Sequence, residues 1–299
     1  MTSAMIATAM TATAMGGAAA GAEAVPRAPG AATGGAPMPA QLQCMVRAAD
    51  PTWQPVIERG LQAVAHADPG YLTQLLGVDF LPGGGRLFAA FAQPMDRVRY
   101  ILIGEGPFPR AASATGVCFM DGAVGTLWSK SGLSKPVNRA TSLRNFIKML
   151  LVADGQLLAA QTAGMALAEI ASVAQAPGSW LIPTLADLQR SLHANGFLLL
   201  NATLVFRADV PPAREARAWR PFLQIVLDAL ASHALDCGRP PPTLVLWGKV
   251  AAQVEALSIA SAFPKVRAEH PYNLSFIVNS TMHRLFGPMR LLHVRKPST

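Results

Sequence analysis

The sequence predicts an α/β fold: a three-layer α/β/α sandwich with a central, mainly parallel four-stranded sheet. Three observations carry that prediction. Four short runs, 98–103, 197–201, 243–247 and 265–268, read as strands. Segments with helical apolar spacing lie between them, and strands alternating with helices imply a parallel sheet covered on both faces. At 299 residues, 51% hydrophobic and 14% charged, the chain can bury one sizeable core and is short for two ordinary domains.

Residues 1–42 are Ala, Gly, Met, Thr and Pro with almost no charge, too little bulk for a core, so a disordered low-complexity tail is expected there and one domain over 43–299. The tail lacks the basic n-region and bulky apolar run of a secretory signal. Helical spacing begins at 53–67 (Trp53, Val56, Ile57, Gly60, Leu61, Val64), and 71–76 reads as a second helix. The run 81–85, Leu-Pro-Gly-Gly-Gly, is a loop, 87–92 a short helix, and 98–103 the first strand, closed by a Gly- and Pro-rich turn. Leu143, Phe146, Ile147 and Leu150 place a helix over 142–152; the alanine-rich 153–179 reads as a helical insertion. A helix over 185–193 closes at Gly196 before the strand 197–201. The remaining elements are a helix at 222–231, the strand 243–247, a helix at 251–257, the strand 265–268 and a closing helix at 285–292.

Several classes are excluded. No apolar run reaches the roughly 18–20 residues that span a bilayer. Cys44, Cys118 and Cys237 are widely spaced and read as free thiols in a reducing compartment. The six histidines form no ligand-spaced cluster, so neither a metal nor an organic cofactor is expected. The net charge of +8 suits an anionic partner such as nucleic acid.

Three segments then converge on one pocket, because ligands of open α/β sheets bind where strand ends meet their loops. They are Gly104-Glu105-Gly106-Pro107-Phe108-Pro109, Leu198-Leu199-Leu200-Asn201 and His270-Pro271-Tyr272-Asn273-Leu274-Ser275. With Gly116-Val117-Cys118-Phe119, Ser142-Leu143-Arg144-Asn145 and Val245-Leu246-Trp247-Gly248, they occur in the order of the motifs of the uracil-DNA glycosylase superfamily. The chain resembles its family 1 most closely, over about 53–292.

That resemblance implies excision of uracil from DNA after the nucleotide is flipped into the pocket. Phe119 would stack on the ring and Asn201 would face the pyrimidine O4 and N3–H. Phe108, in place of the family tyrosine, would exclude the thymine methyl. His270 would donate to O2 of the departing anion. Leu274 would enter the vacated stack, and Ser142 and Ser275 would hold phosphates. Arg139, Arg144, Lys148 and Lys249 would add positive field, or serve as solvated surface charges.

The chain departs from the pattern at Gly106, where the family carries the aspartate that faces the electron-poor sugar, and at Pro109, where it carries a histidine. Glu105 is the candidate water-positioning carboxylate, since Gly-Glu-Gly-Pro resembles the first motif of the iron–sulfur branch; alternatively, it replaces a family glutamine and keeps its hydrogen bonds. Tyr272-Asn273 stands for Ser-Pro, which predicts a looser leucine loop. The stretches 120–138 and 153–183 are longer than in family 1 and are expected to cover or reshape the DNA groove. The expected partner is uracil-containing DNA, without membrane or metal, bound by a monomer in the cytoplasm, in a bacterial nucleoid-associated pool. The alternative is a catalytically impaired relative that binds DNA or damaged bases without efficient excision; a weaker one is an α/β protein whose pocket serves another small ligand.

Overall fold

The computed structural model describes residues 38–295. The helices are α1 (Ala40–Arg47), α2 (Gln54–Ala67), α3 (Tyr71–Leu76), α4 (Lys135–Arg139), α5 (Thr141–Ala153), α6 (Met165–Gln175), α7 (Leu185–Ala194), α8 (Pro212–Asp236), α9 (Val250–Glu255) and α10 (Ser280–Phe286). The strands are β1 (Tyr100–Gly104), β2 (Trp128–Ser129), β3 (Gly132–Leu133), β4 (Phe197–Asn201), β5 (Thr243–Trp247) and β6 (Lys265–Ala268). The central sheet has the order β4-β1-β5-β6 with every pairing parallel, and β2–β3 is a small antiparallel hairpin.

The two-residue period of a strand divides the core. Ile101, Ile103, Leu198, Leu200, Leu244 and Leu246 face one side, where they join α2 and α8 through Ile57, Leu61, Phe222 and Val226. Leu102, Phe197, Leu199, Val245 and Trp247 face the other, against Phe146, Leu188 and Phe286 of α5, α7 and α10. Both faces are covered, so β4 is buried along its whole length.

Most expected elements stand within a few residues of their predicted bounds, and three readings need correction. α8 begins at Pro212 and runs through Pro221, where a start at Phe222 was expected. Proline is costly inside a helix, but the turns before it are pinned by the buried Glu215 and Trp219. No helix covers 285–292: α10 starts at Ser280, where the Asn279 side chain accepts from Thr281 and Met282 N–H, and Pro288 lies in a short 3-10 turn after it. The domain begins earlier than residue 43, because α1 starts at Ala40 and Leu42 is fully buried. Residues 1–37 of the expected tail lie outside the described residues. The stretch 120–138 contains the hairpin and α4, and the 153–183 insertion supplies α6, which packs on β2 and β3.

Candidate functional site

A cavity of about 410 Å³ opens at the C-terminal end of the sheet. Glu105, Phe108, Phe119, Ser142, Asn201 and His270 all line it, so six of the eight sequence-predicted residues come together there. Leu274 and Ser275 do not line it; they sit in an exposed 3-10 turn four and five residues beyond His270. The lining of this cavity includes Asp121 of the 120–138 stretch and residues 139–143, and none of 153–183.

Each wall follows from local chain chemistry. β1 and β4 run in register to Gly104 and Asn201, so both strands deliver their loops at one level. Ala202 and Thr203 N–H donate to the Gly104 and Glu105 carbonyls, which ties the first loop to the end of β4. Gly104 is required by close approach: a Cβ there would lie 2.6 Å from Cys118 Sγ and 3.0 Å from Asn201 Oδ1. Asn201 is 5% exposed and lines the cavity.

Phe119 sits at φ +68°, a conformation bulky residues rarely adopt and one that costs on the order of 1–3 kcal/mol. Its neighbours hold it there. The Cys118 N–H donates to Leu199 O at 3.1 Å, and the Phe119 ring meets Phe146 and Trp247 edge-on at 5.4 and 5.3 Å. Cys118 also lines the cavity but is 3% exposed, and burial pushes its thiol up to about 12 and keeps it protonated.

His270 follows β6 and is partly buried. Its Nδ1 accepts the Tyr272 backbone N–H at 3.2 Å, so the neutral ring carries its proton on Nε2. Burial lowers its pKa and the Glu105 carboxylate partly opposes that, favouring the neutral ring at pH 7. Gly248, at φ +65°, admits this packing, since a Cβ there would lie 2.8 Å from His270 Cβ. The site therefore presents a neutral N–H donor, an amide, an aromatic face and a carboxylate around one cavity.

The sequence reading assigned no role to three participants. Asn145, fully buried on α5, donates from Nδ2 to the carbonyls of Pro271, Tyr272 and Asn273 at 2.8, 3.2 and 3.4 Å. The loop after His270, expected to be looser for want of a proline at 273, is anchored by this side chain. Arg144 Nε bonds Asn145 Oδ1 at 3.3 Å, so this arginine serves the anchor. Arg110 and Asp121 face each other at 3.6 Å on the cavity wall; Asp121, two residues after Phe119, was the available signal. Arg139 lines the cavity as a positive charge, and burial, with Arg144 nearby, lowers the pKa of Lys148. Among the described residues no His/Cys/Asp/Glu group has metal-site geometry, and no helix is long and apolar enough to cross a membrane.

No family model matches the chain. The wild-type UNG of Nitratifractor salsuginis is similar in structure, with a TM-score of 0.76 and 39% identity, covering 85% of this chain and 98% of that one. The uracil-DNA glycosylase of Mycobacterium tuberculosis is 24% identical over 224 residues, which are 75% of this chain and 81% of the relative. That of a further Mycobacterium strain is 25% identical over 227 residues, 76% and 82% of the two chains.

Proposed function

The chain belongs to the uracil-DNA glycosylase superfamily, and we propose that it hydrolyses the N-glycosidic bond of deoxyuridine in DNA, leaving an abasic site for base excision repair. The observation that carries this reading is the meeting of Phe119, Asn201 and a His270 with its proton on Nε2 in one cavity of about 410 Å³.

The flipped uracil stacks on Phe119, and Asn201 matches O4 and N3–H with one donor and one acceptor, which cytosine would mismatch. Phe108 fills the space that a thymine methyl would need. As the C1′–N1 bond breaks, its electron pair leaves on the base, and the His270 Nε2–H donates to O2, where negative charge collects. The water oxygen bonds to C1′ and releases one proton by way of the Glu105 carboxylate to solvent, from which the departed uracil anion takes up a proton. Glu105 orients that water and faces the electron-poor sugar, the task for which Gly106 has no side chain. Outside the cavity, Leu274 enters the vacated stack, and Ser142 and Ser275 hold flanking phosphates. The enzyme works as a monomer on uracil-containing DNA, in the cytoplasm.

Single-turnover excision on a short uracil-containing oligonucleotide tests this. His270→Ala is expected to slow wild-type cleavage on the order of 10²–10³-fold, and Glu105→Gln to slow it as well. Cleavage that survives Glu105→Gln removes Glu105 from the mechanism. Uracil-dependent binding without any cleavage would identify a lesion sensor, the reading that Gly106 favours.

A further inference from the structure

Tyr272 is 61% exposed, an unusual position for an aromatic ring two residues from a cavity-lining histidine. Its backbone is fixed at both ends: the N–H donates to His270 Nδ1 at 3.2 Å, and the carbonyl accepts from the buried Asn145 at 3.2 Å. The ring packs at a tilt against His270, centroids 5.1 Å apart, which leaves most of its surface to solvent. Leu274, 69% exposed, follows on the same loop. A flat apolar surface on an anchored backbone, two residues beyond a histidine that lines the cavity, is the arrangement that stacks a nucleobase: every base has a π face, and the aromatic side chain loses little freedom on stacking.

We propose that Tyr272 is a nucleobase-stacking site, taking a same-strand base adjacent to the excised nucleotide while Leu274 occupies the gap that nucleotide leaves. The proposal rests on the glycosylase reading for the identity of its ligand. Stacking of this kind is sequence-tolerant, so it holds a neighbour of any identity and serves single-stranded substrates that lack a partner strand.

The test is a cycle between protein and DNA. Single-turnover excision is measured against enzyme concentration for the wild type, Tyr272→Ala and Tyr272→Phe. The substrates are single-stranded oligonucleotides with a central uracil, one intact and two carrying a base-free tetrahydrofuran residue on the 5′ or the 3′ side. Removing one neighbour is expected to raise the wild-type half-saturation concentration roughly 10-fold. Tyr272→Ala should raise it as much on intact DNA and no further on DNA already lacking that base, and Tyr272→Phe should behave as wild type. Losses that multiply, a Tyr272→Ala protein equal to wild type on intact DNA, or a change confined to the maximal rate through a displaced His270, would each overturn the proposal. If the wild type excises nothing, the same cycle run by fluorescence anisotropy still decides the stacking, so failure of the two readings is distinguishable.

Discussion

At the scale of single residues, the position that most needs explaining is Gly106. A Cβ there would stand 3.6 Å from both Thr203 Cβ and Thr203 O, ordinary contact distances, so the glycine is not enforced by crowding. A side chain can therefore start at this position without a Cβ clash. In a Glu105→Gln background, Gly106→Asp is expected to recover excision by roughly 10-fold, with Gly106→Ala as the control that adds bulk without charge. Failure of the aspartate to help would mean that water is positioned from elsewhere. His270 gives a second expectation. Burial favours its neutral form, so an NMR titration should place its midpoint below the ordinary 6.5. The cleavage rate should hold steady above that midpoint and change below it, where a proton on Nδ1 breaks the bond from Tyr272 N–H. Phe119, Asn201 and His270 were legible in the sequence because each stands at a fixed place in a short motif. The left-handed backbone of Phe119 and the pairing of Arg110 with Asp121 were not, because both depend on how a loop closes rather than on residue order.

At the scale of elements, α5 and the His270 loop form a single working part. Asn145 supplies the donors for three loop carbonyls, and alanine there would leave the buried Pro271 carbonyl without this donor, at a cost of about 1–3 kcal/mol where water cannot reach, while Asn273 O keeps the Phe276 N–H. Asn145→Ala should lower the thermal midpoint and slow excision at saturating DNA, since His270 loses its placement. Asn145→Asp should be at least as harmful, because a carboxylate cannot donate. Unchanged excision in both variants would mean that the loop holds its geometry through its own backbone bonds. The strands were read closely because buried parallel strands are short apolar runs between turn residues, as Leu198-Leu199-Leu200 before Asn201 shows. α8 was misread because Pro221 carries a local stop signal that tertiary contacts of Glu215 and Trp219 override. The end of the chain was misread for a related reason. Leu285, Met289 and Leu292 have helical spacing, but Pro288 interrupts it, and Arg290 turns the chain at φ +45°.

At the scale of the whole molecule, stability rests on two apolar layers against one sheet, with polar groups admitted where they are paired. The sharpest case is Glu215, 2% exposed, which accepts from Tyr71 Oη and from Arg207 Nε, while Trp219 Nε1 donates to Tyr71 Oη at 2.7 Å. This joins the start of α3 to the first turns of α8. Glu215→Ala should destabilise by about 3–5 kcal/mol, because it strands the buried Arg207 charge; a loss below 1 kcal/mol by denaturant unfolding would show that Arg207 escapes to water. His193, on α7, is the opposite case: its Nε2 is buried without a protein partner, and burial lowers its pKa from 6.5. The folded chain thus resists taking up this proton, and the unfolded chain takes it up as pH falls through 6.5. Protons bound preferentially by the unfolded state favour unfolding, so this contribution to stability is complete above pH 6.5 and is lost as pH falls toward the lowered value. His270, lowered in the same direction, adds to the trend. Denaturant midpoints measured from neutral pH down to the carboxylate range, about 4, should therefore decline before carboxylates titrate. His193→Leu should flatten that decline, since it removes the titrating group and keeps an apolar side chain in the layer. An unaltered slope in this variant would place the acid sensitivity in other groups and make His193 a bystander that opens readily to water.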